Sequence, residues 1–91
     1  MCRMDILDDF AAAVAAVDVQ LDCRGLRCPL PVIRLSNAIE DVEVGRCVAV
    51  LADDPAARPD VPAWCRMRGH EYVGEDLGES GAPRFVVRRT H

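Results

Sequence analysis

Cys28 stands directly before Pro29, with a second proline at Pro31, and is entered through Leu21-Asp22-Cys23-Arg24-Gly25-Leu26-Arg27. Behind it Val32, Ile33, Leu35, Ala38, Ile39 and Val42 recur at helical spacing, so the cysteine sits where a helix should begin. The positive end of a helix dipole favours a thiolate there. Pro29 suits the first helical position, and Pro31 still falls in the first turn, where backbone N–H groups lack intrahelical partners. The two prolines fix the backbone and leave only Leu30, Val32 and loop N–H groups to meet the sulfur. The dipole field survives while direct hydrogen bonding is thinned. This predicts a modestly favoured but still nucleophilic thiolate, since nucleophilicity falls with a thiol's pKa. A phosphate cradle would need the missing N–H groups, which makes anion binding the weaker reading.

What surrounds the cysteine narrows the chemistry. Arg24, Arg27 and Arg34 either add positive potential near Cys28 or are solvated surface charges. Asp53-Asp54-Pro55 either turns the chain into a helix or offers Asp54 to a partner. His70 and His91 are the only histidines, and neither stands as a base for Cys28. A cysteine hydrolase would need such a base and an oxyanion hole. Exchange of sulfur with another sulfur needs neither. Gly25 supplies the turn before the site. Cys23 lies five positions before Cys28, so a reversible bridge between them is geometrically open. Cys47 and Cys65 read as small buried hydrophobes. Five cysteines with irregular spacing and no C-x-x-C motif indicate neither a disulfide scaffold nor a zinc site.

The elements follow from the patterning. Ninety-one residues, 51% apolar and 29% charged, suit one globular domain with a single core. Residues 4 to 17 show a helical stripe, so residues 1–18 are expected as an acidic helical extension to a domain over 19–91. Strands are expected over Val19 to Asp22, Cys47 to Ala52, Tyr72 to Asp76 and Arg84 to Arg89, the last two as a hairpin. Helices are expected over Pro29 to Ile39 and Ala56 to Arg68, the second irregular near Val61-Pro62 and closed by Gly69. The order β-α-β-α-β-β gives an α/β (α+β) two-layer sandwich, with both helices on one face of a mixed four-stranded sheet.

Charge excludes some partners. Residues 1–19 hold Arg3 against Asp5, Asp8, Asp9 and Asp18, a net of -3, which leaves -1 of the total -4 for the rest. No basic stripe exists, so direct nucleic-acid binding is not expected. The apolar run Ala11 to Val17 follows three aspartates instead of a positive segment, and is too short to span a membrane. The chain reads as soluble and cytoplasmic.

Leu21-Asp22-x-x-Gly25-Leu26-x-Cys28-Pro29-x-Pro31, then Ala52-Asp53-Asp54-Pro55-Ala56, then Asp60-x-Pro62-x-x-Cys65, together resemble the TusA (SirA-like) sulfur-carrier family. The resemblance runs from about Val19 to Arg89. It implies the same two-layer sandwich, with Cys28 accepting sulfane sulfur as a persulfide and handing it on without cofactor or metal. Pro29, Pro31 and Gly25 would shape the site. Arg27, Arg34 and Asp54 would meet partners: a cysteine desulfurase or rhodanese-type donor, and a downstream acceptor protein serving tRNA thiolation, cofactor assembly or sulfur metabolism. The N-terminal helix and Cys23 lie outside the family pattern. The competing reading is a redox-responsive regulatory or binding module using Cys23 and Cys28.

Overall fold

The computed structural model describes residues 12–78 and 81–91. Most of the helix expected over residues 4 to 17 lies outside them. Residues 12–15 are helical, and Ala16 turns the chain into strand β1, Val17–Asp22. The strand thus starts two residues earlier than its apolar alternation suggested. An irregularity in register between Val17 and Val19 accounts for this, and Asp18 there ion-pairs with Arg46 at 2.7 Å.

Helix α1 covers Leu30–Ala38 and tightens into a single 3-10 turn at Ile39–Asp41. Strand β2 is Cys47–Leu51, helix α2 is Ala57–Arg68, and strands β3 and β4 are Glu71–Leu77 and Pro83–Arg88. The expected β-α-β-α-β-β order and mixed four-stranded sheet are both present. Contrary to the expected irregularity, α2 runs unbroken through Pro62 and ends at Gly69, whose positive φ of 81° suits a residue without Cβ.

The sheet order is β1-β2-β4-β3. β1 pairs parallel with β2, and β4 pairs antiparallel with both β2 and β3. A parallel pair needs a crossover, and α1 provides it. The interior position of β2 explains why all five of its residues are buried. Alternation then sorts the strands between two clusters. Val48, Val50, Phe85 and Val87 face Leu35, Ala38, Val61, Trp64 and Cys65 of the helices. Cys47 and Val86 point to the opposite face and are covered by Ala13, with Val14, Ala16, Val17 and Val73 alongside. Phe85 is fully buried, a side chain worth about 1.5–3 kcal/mol when removed from water.

The far end of α2 carries the two histidines. His70 stacks between Trp64 and His91, with ring centroids 5.6 and 4.6 Å apart. A twelve-residue helix is about 18 Å long, so neither histidine serves the end where α2 begins.

Candidate functional site

Parallel pairing of β1 and β2 brings their carboxyl ends to one edge of the sheet, where Asp22 is in register with Leu51. Both following loops leave from that edge and both helices start there. Open sheets of this kind place their working residues beyond the carboxyl ends of the strands. The loop after β1 carries Cys28, and the loop after β2 carries Asp53 and Asp54.

Local rules build the first loop. The Asp22 carboxylate accepts the Arg24 backbone N–H and holds the Arg24 guanidinium at 2.7 Å, which drops its pKa from 3.8 to about 2. The Leu26 N–H closes a turn onto the Cys23 carbonyl, with Gly25 at a φ of 81° inside it. No atom beyond its own chain neighbours lies within 4 Å of where a Gly25 Cβ would stand, so backbone conformation alone calls for glycine here. A second turn is closed by the Leu30 N–H on the Arg27 carbonyl, and it contains Cys28 and Pro29. The Cys28–Pro29 peptide bond is cis.

Asp53 and Asp54 fasten this loop from across the edge. Asp53 Oδ1 accepts the Gly25 N–H at 3.0 Å, and Asp54 Oδ2 accepts the Cys28 N–H at 2.7 Å. Asp54 Oδ1 also accepts the Ala56 N–H at 3.1 Å. These backbone donors hold the Asp54 carboxyl below its usual range, with help from the nearby Arg27 charge. Asp54 therefore serves both as the turn residue and as the anchor of the cysteine loop. A shallow pocket of about 410 Å³ opens beside it, lined by Gly25, Leu26, Arg27, Asp53, Asp54 and Pro55.

The sulfur itself departs from expectation. Cys28 is exposed, but its thiol donates a hydrogen bond to Asp60 Oδ2 at 2.8 Å. That hydrogen bond, followed by partial desolvation and the charges of Asp60 and Asp54, pushes the thiol pKa up. The groups around the sulfur thus disfavour the thiolate that the helix dipole was expected to favour. The helix offers less than the prolines suggested: Pro29 is the N-cap rather than the first helical residue, Pro31 is buried in the first turn, and the Leu30 N–H is taken by Arg27. A dipole of about half a charge spread over a turn is outweighed by a full carboxylate in contact.

Of the two readings open for the arginines, the structure shows each acting on a group other than the sulfur. Arg24 is bound to Asp22, the field of Arg27 falls on Asp54, and that of Arg34 falls on Cys23. Asp60 was missed as a site residue because its spacing from Cys28, 32 positions, carries no local signal. The one hint was its place in the Asp60-x-Pro62-x-x-Cys65 segment. Sequence reading thus missed that a carboxylate touches the thiol, although it holds the proton there and is not the histidine base a hydrolase would need.

Cys23, Cys28, Cys47 and Cys65 are all free, and all but Cys28 are buried. Cys23 is wholly enclosed in the core shared by sheet and helices, and burial pushes its thiol pKa up. In this structure Cys23 and Cys28 are not bridged, one enclosed and the other exposed. Among the described residues no cluster of ligating side chains could hold a metal ion, and no helix is long and apolar enough to cross a membrane.

This two-layer architecture with a cysteine at the edge defines a class that the comparisons identify. The profile of the family described as Sulfurtransferase TusA matches residues 19–89. An Archaeoglobus fulgidus protein described as a candidate sulfur carrier is 48% identical over 69 residues, covering 76% of this chain and 90% of its own. The sulfur carrier protein TusA of Pseudomonas aeruginosa is 40% identical over 74 residues, covering 81% and 92%. The crystal structure of a SirA-like protein from Desulfitobacterium hafniense superposes with a TM-score of 0.68 at 24% identity, covering 80% of this chain and 99% of that one. The chain belongs to the TusA sulfurtransferase family. Sulfur transfer is therefore its class of activity.

Proposed function

We propose that this protein is a persulfide carrier, loaded and unloaded at Cys28. The observation that carries the reading is the contrast among thiols: Cys28 is exposed at the helix-start edge, while Cys23, Cys47 and Cys65 are sealed inside. The Cys28 sulfur attacks the terminal sulfur of a donor persulfide, R–S–SH. A bond forms between the two sulfurs and the donor's own S–S bond breaks. Cys28–S–SH and R–SH result, with the thiol proton passing to the departing sulfur. An acceptor thiol or carrier then takes the terminal sulfur in the same way.

Gly25, Pro29 and Pro31 hold the loop and the helix start. Arg27 and Arg34, both exposed, are the side chains proposed to meet donor and acceptor proteins, together with the Asp54 segment. The donor is proposed to be a cysteine desulfurase or a rhodanese-type protein. Free thiols with a reactive one at the surface suit a reducing compartment such as the cytoplasm.

The test is mass spectrometry after incubation with a desulfurase and cysteine. One added sulfur atom on the Cys28 peptide, absent in Cys28→Ser, is the expected result. An unmodified Cys28 with several competent donors defeats the reading.

A further inference from the structure

We propose that Asp60 keeps the empty carrier quiet, its carboxylate holding the Cys28 sulfur as a neutral thiol until sulfur arrives. The inference rests on the reading of Cys28 as the carrier sulfur. Its ground is a contact between elements: Asp60 Oδ2, in the first turn of α2, lies 2.8 Å from the sulfur at the start of α1.

A thiol has one hydrogen to donate, and here it goes to the carboxylate. Deprotonating that sulfur would set two negative charges against each other at contact distance. The charged groups facing the sulfur act in the same direction, Asp60 from α2 and Asp54 from the β2–α2 loop. Arg27 acts on Asp54. An exposed cysteine without such a neighbour would react with disulfides and electrophiles according to its thiolate fraction. Asp60 lowers that fraction, while the thiolate that does form keeps the higher nucleophilicity of a high-pKa thiol.

Loading changes the contact. Once the Cys28 sulfur is bonded to a second sulfur, about 2.05 Å away, it no longer carries a hydrogen. Its lone pairs then face the Asp60 carboxylate, and attraction gives way to repulsion. Asp60 therefore restrains the empty sulfur and not the loaded one, which favours delivery over retention.

The experiment is site-resolved alkylation by iodoacetamide, read on the Cys28 peptide from about pH 6 to 10. Wild type is measured folded and in urea, beside Asp60→Asn and Asp54→Asn. The expected midpoint for folded wild type lies above that in urea. Asp60→Asn brings it down and speeds alkylation at neutral pH several-fold, and Asp54→Asn does less. On persulfide-loaded protein the Asp60→Asn effect shrinks below about twofold.

Trp64 fluorescence reports whether Asp60→Asn is folded. If it is not, the folded and urea profiles of wild type decide alone. Superimposed profiles, for wild type against urea or for Asp60→Asn against wild type, overturn the proposal. So does an equal acceleration of empty and loaded forms. Failure to load sulfur, with the alkylation profiles as expected, would instead count against the carrier reading and leave the role of Asp60 standing.

Discussion

The Asp54 carboxylate accepts the backbone N–H of Cys28 at 2.7 Å across 26 positions of sequence. One side chain at the end of β2 thereby fixes the height of the sulfur above the edge built by β1. Asp54→Ala removes that anchor and leaves the cysteine in place. Because a misplacement of about 1 Å can cost on the order of a hundredfold in rate, sulfur loading from a protein donor should fall about tenfold or more. Far-UV circular dichroism should be unchanged, and single-turnover loading monitored by mass spectrometry checks the rate.

Acid should loosen the fold, at this edge and beyond it. Asp18, Asp22, Asp54 and Glu75 all have pKa values held below their ordinary range, through hydrogen bonds from Arg46, from Arg24, from the Cys28 backbone and from Arg58. A carboxyl with a depressed folded pKa contributes stability that is complete above its unfolded value. That contribution is lost as pH falls through the folded one. From these carboxyls the urea midpoint should decline as pH falls from about 4 toward 2, the lower limit being set by Asp22 at about 2. These groups are solvent-facing, so added salt should blunt the decline. Asp22→Asn should remove its last part.

Much of this was legible because it depends on local patterns. The run of apolar residues over Cys47–Leu51 marks a buried interior strand, and Gly69 marks the end of α2. Asp53 and Asp54 were recognisable as candidates because they end a strand parallel to the one leading into Cys28. The state of the sulfur was not legible. It depends on Asp60, on a different helix, whose approach requires α1 and α2 to pack side by side. The dipole argument considered α1 alone, and so gave the wrong sign for the thiol. The covering of Cys47 by Ala13 was equally hidden, since alternation shows which face a side chain takes but not what lies against it.

Gly25 offers a clean separation of backbone from packing. Its φ is 81° and no neighbour crowds its Cβ position, so Gly25→Ala meets only the left-handed penalty, about 1–2 kcal/mol. Gly25→Asn should cost less, because asparagine tolerates that region better. Urea denaturation should rank the three as glycine, asparagine, alanine in falling midpoint. An alanine variant as stable as wild type would mean that the turn had rearranged.

Arg27 and Arg34 should matter to proteins and not to small donors. The groups that move the Cys28 thiol in the structure are the carboxylates Asp60 and Asp54, together with partial desolvation. Charge reversal, Arg27→Glu with Arg34→Glu, should slow loading from a protein donor by about tenfold or more, since rim charges govern association. Loading from glutathione persulfide should change by less than about twofold. Equal losses with both donors would move these arginines from docking to the chemistry.

The sharpest distinction between a carrier and a disulfide switch is the number of accessible thiols. Cys65 is buried beside Trp64 and its pKa is pushed up to about 12, and burial raises those of Cys23 and Cys47 as well. A raised folded pKa keeps these thiols protonated through neutral pH, and enclosure withholds them from reagent. In a Cys2→Ser background, Ellman's reagent at pH 8 should label one thiol quickly, and that thiol should be Cys28. The other three should follow only at the rate of unfolding, and denaturant should bring all four to the same rate. Exposure to mild oxidant should then leave no Cys23–Cys28 bridge in folded protein. Rapid native labelling of Cys23 would instead show that the core opens at this loop, giving a disulfide switch the second sulfur it requires.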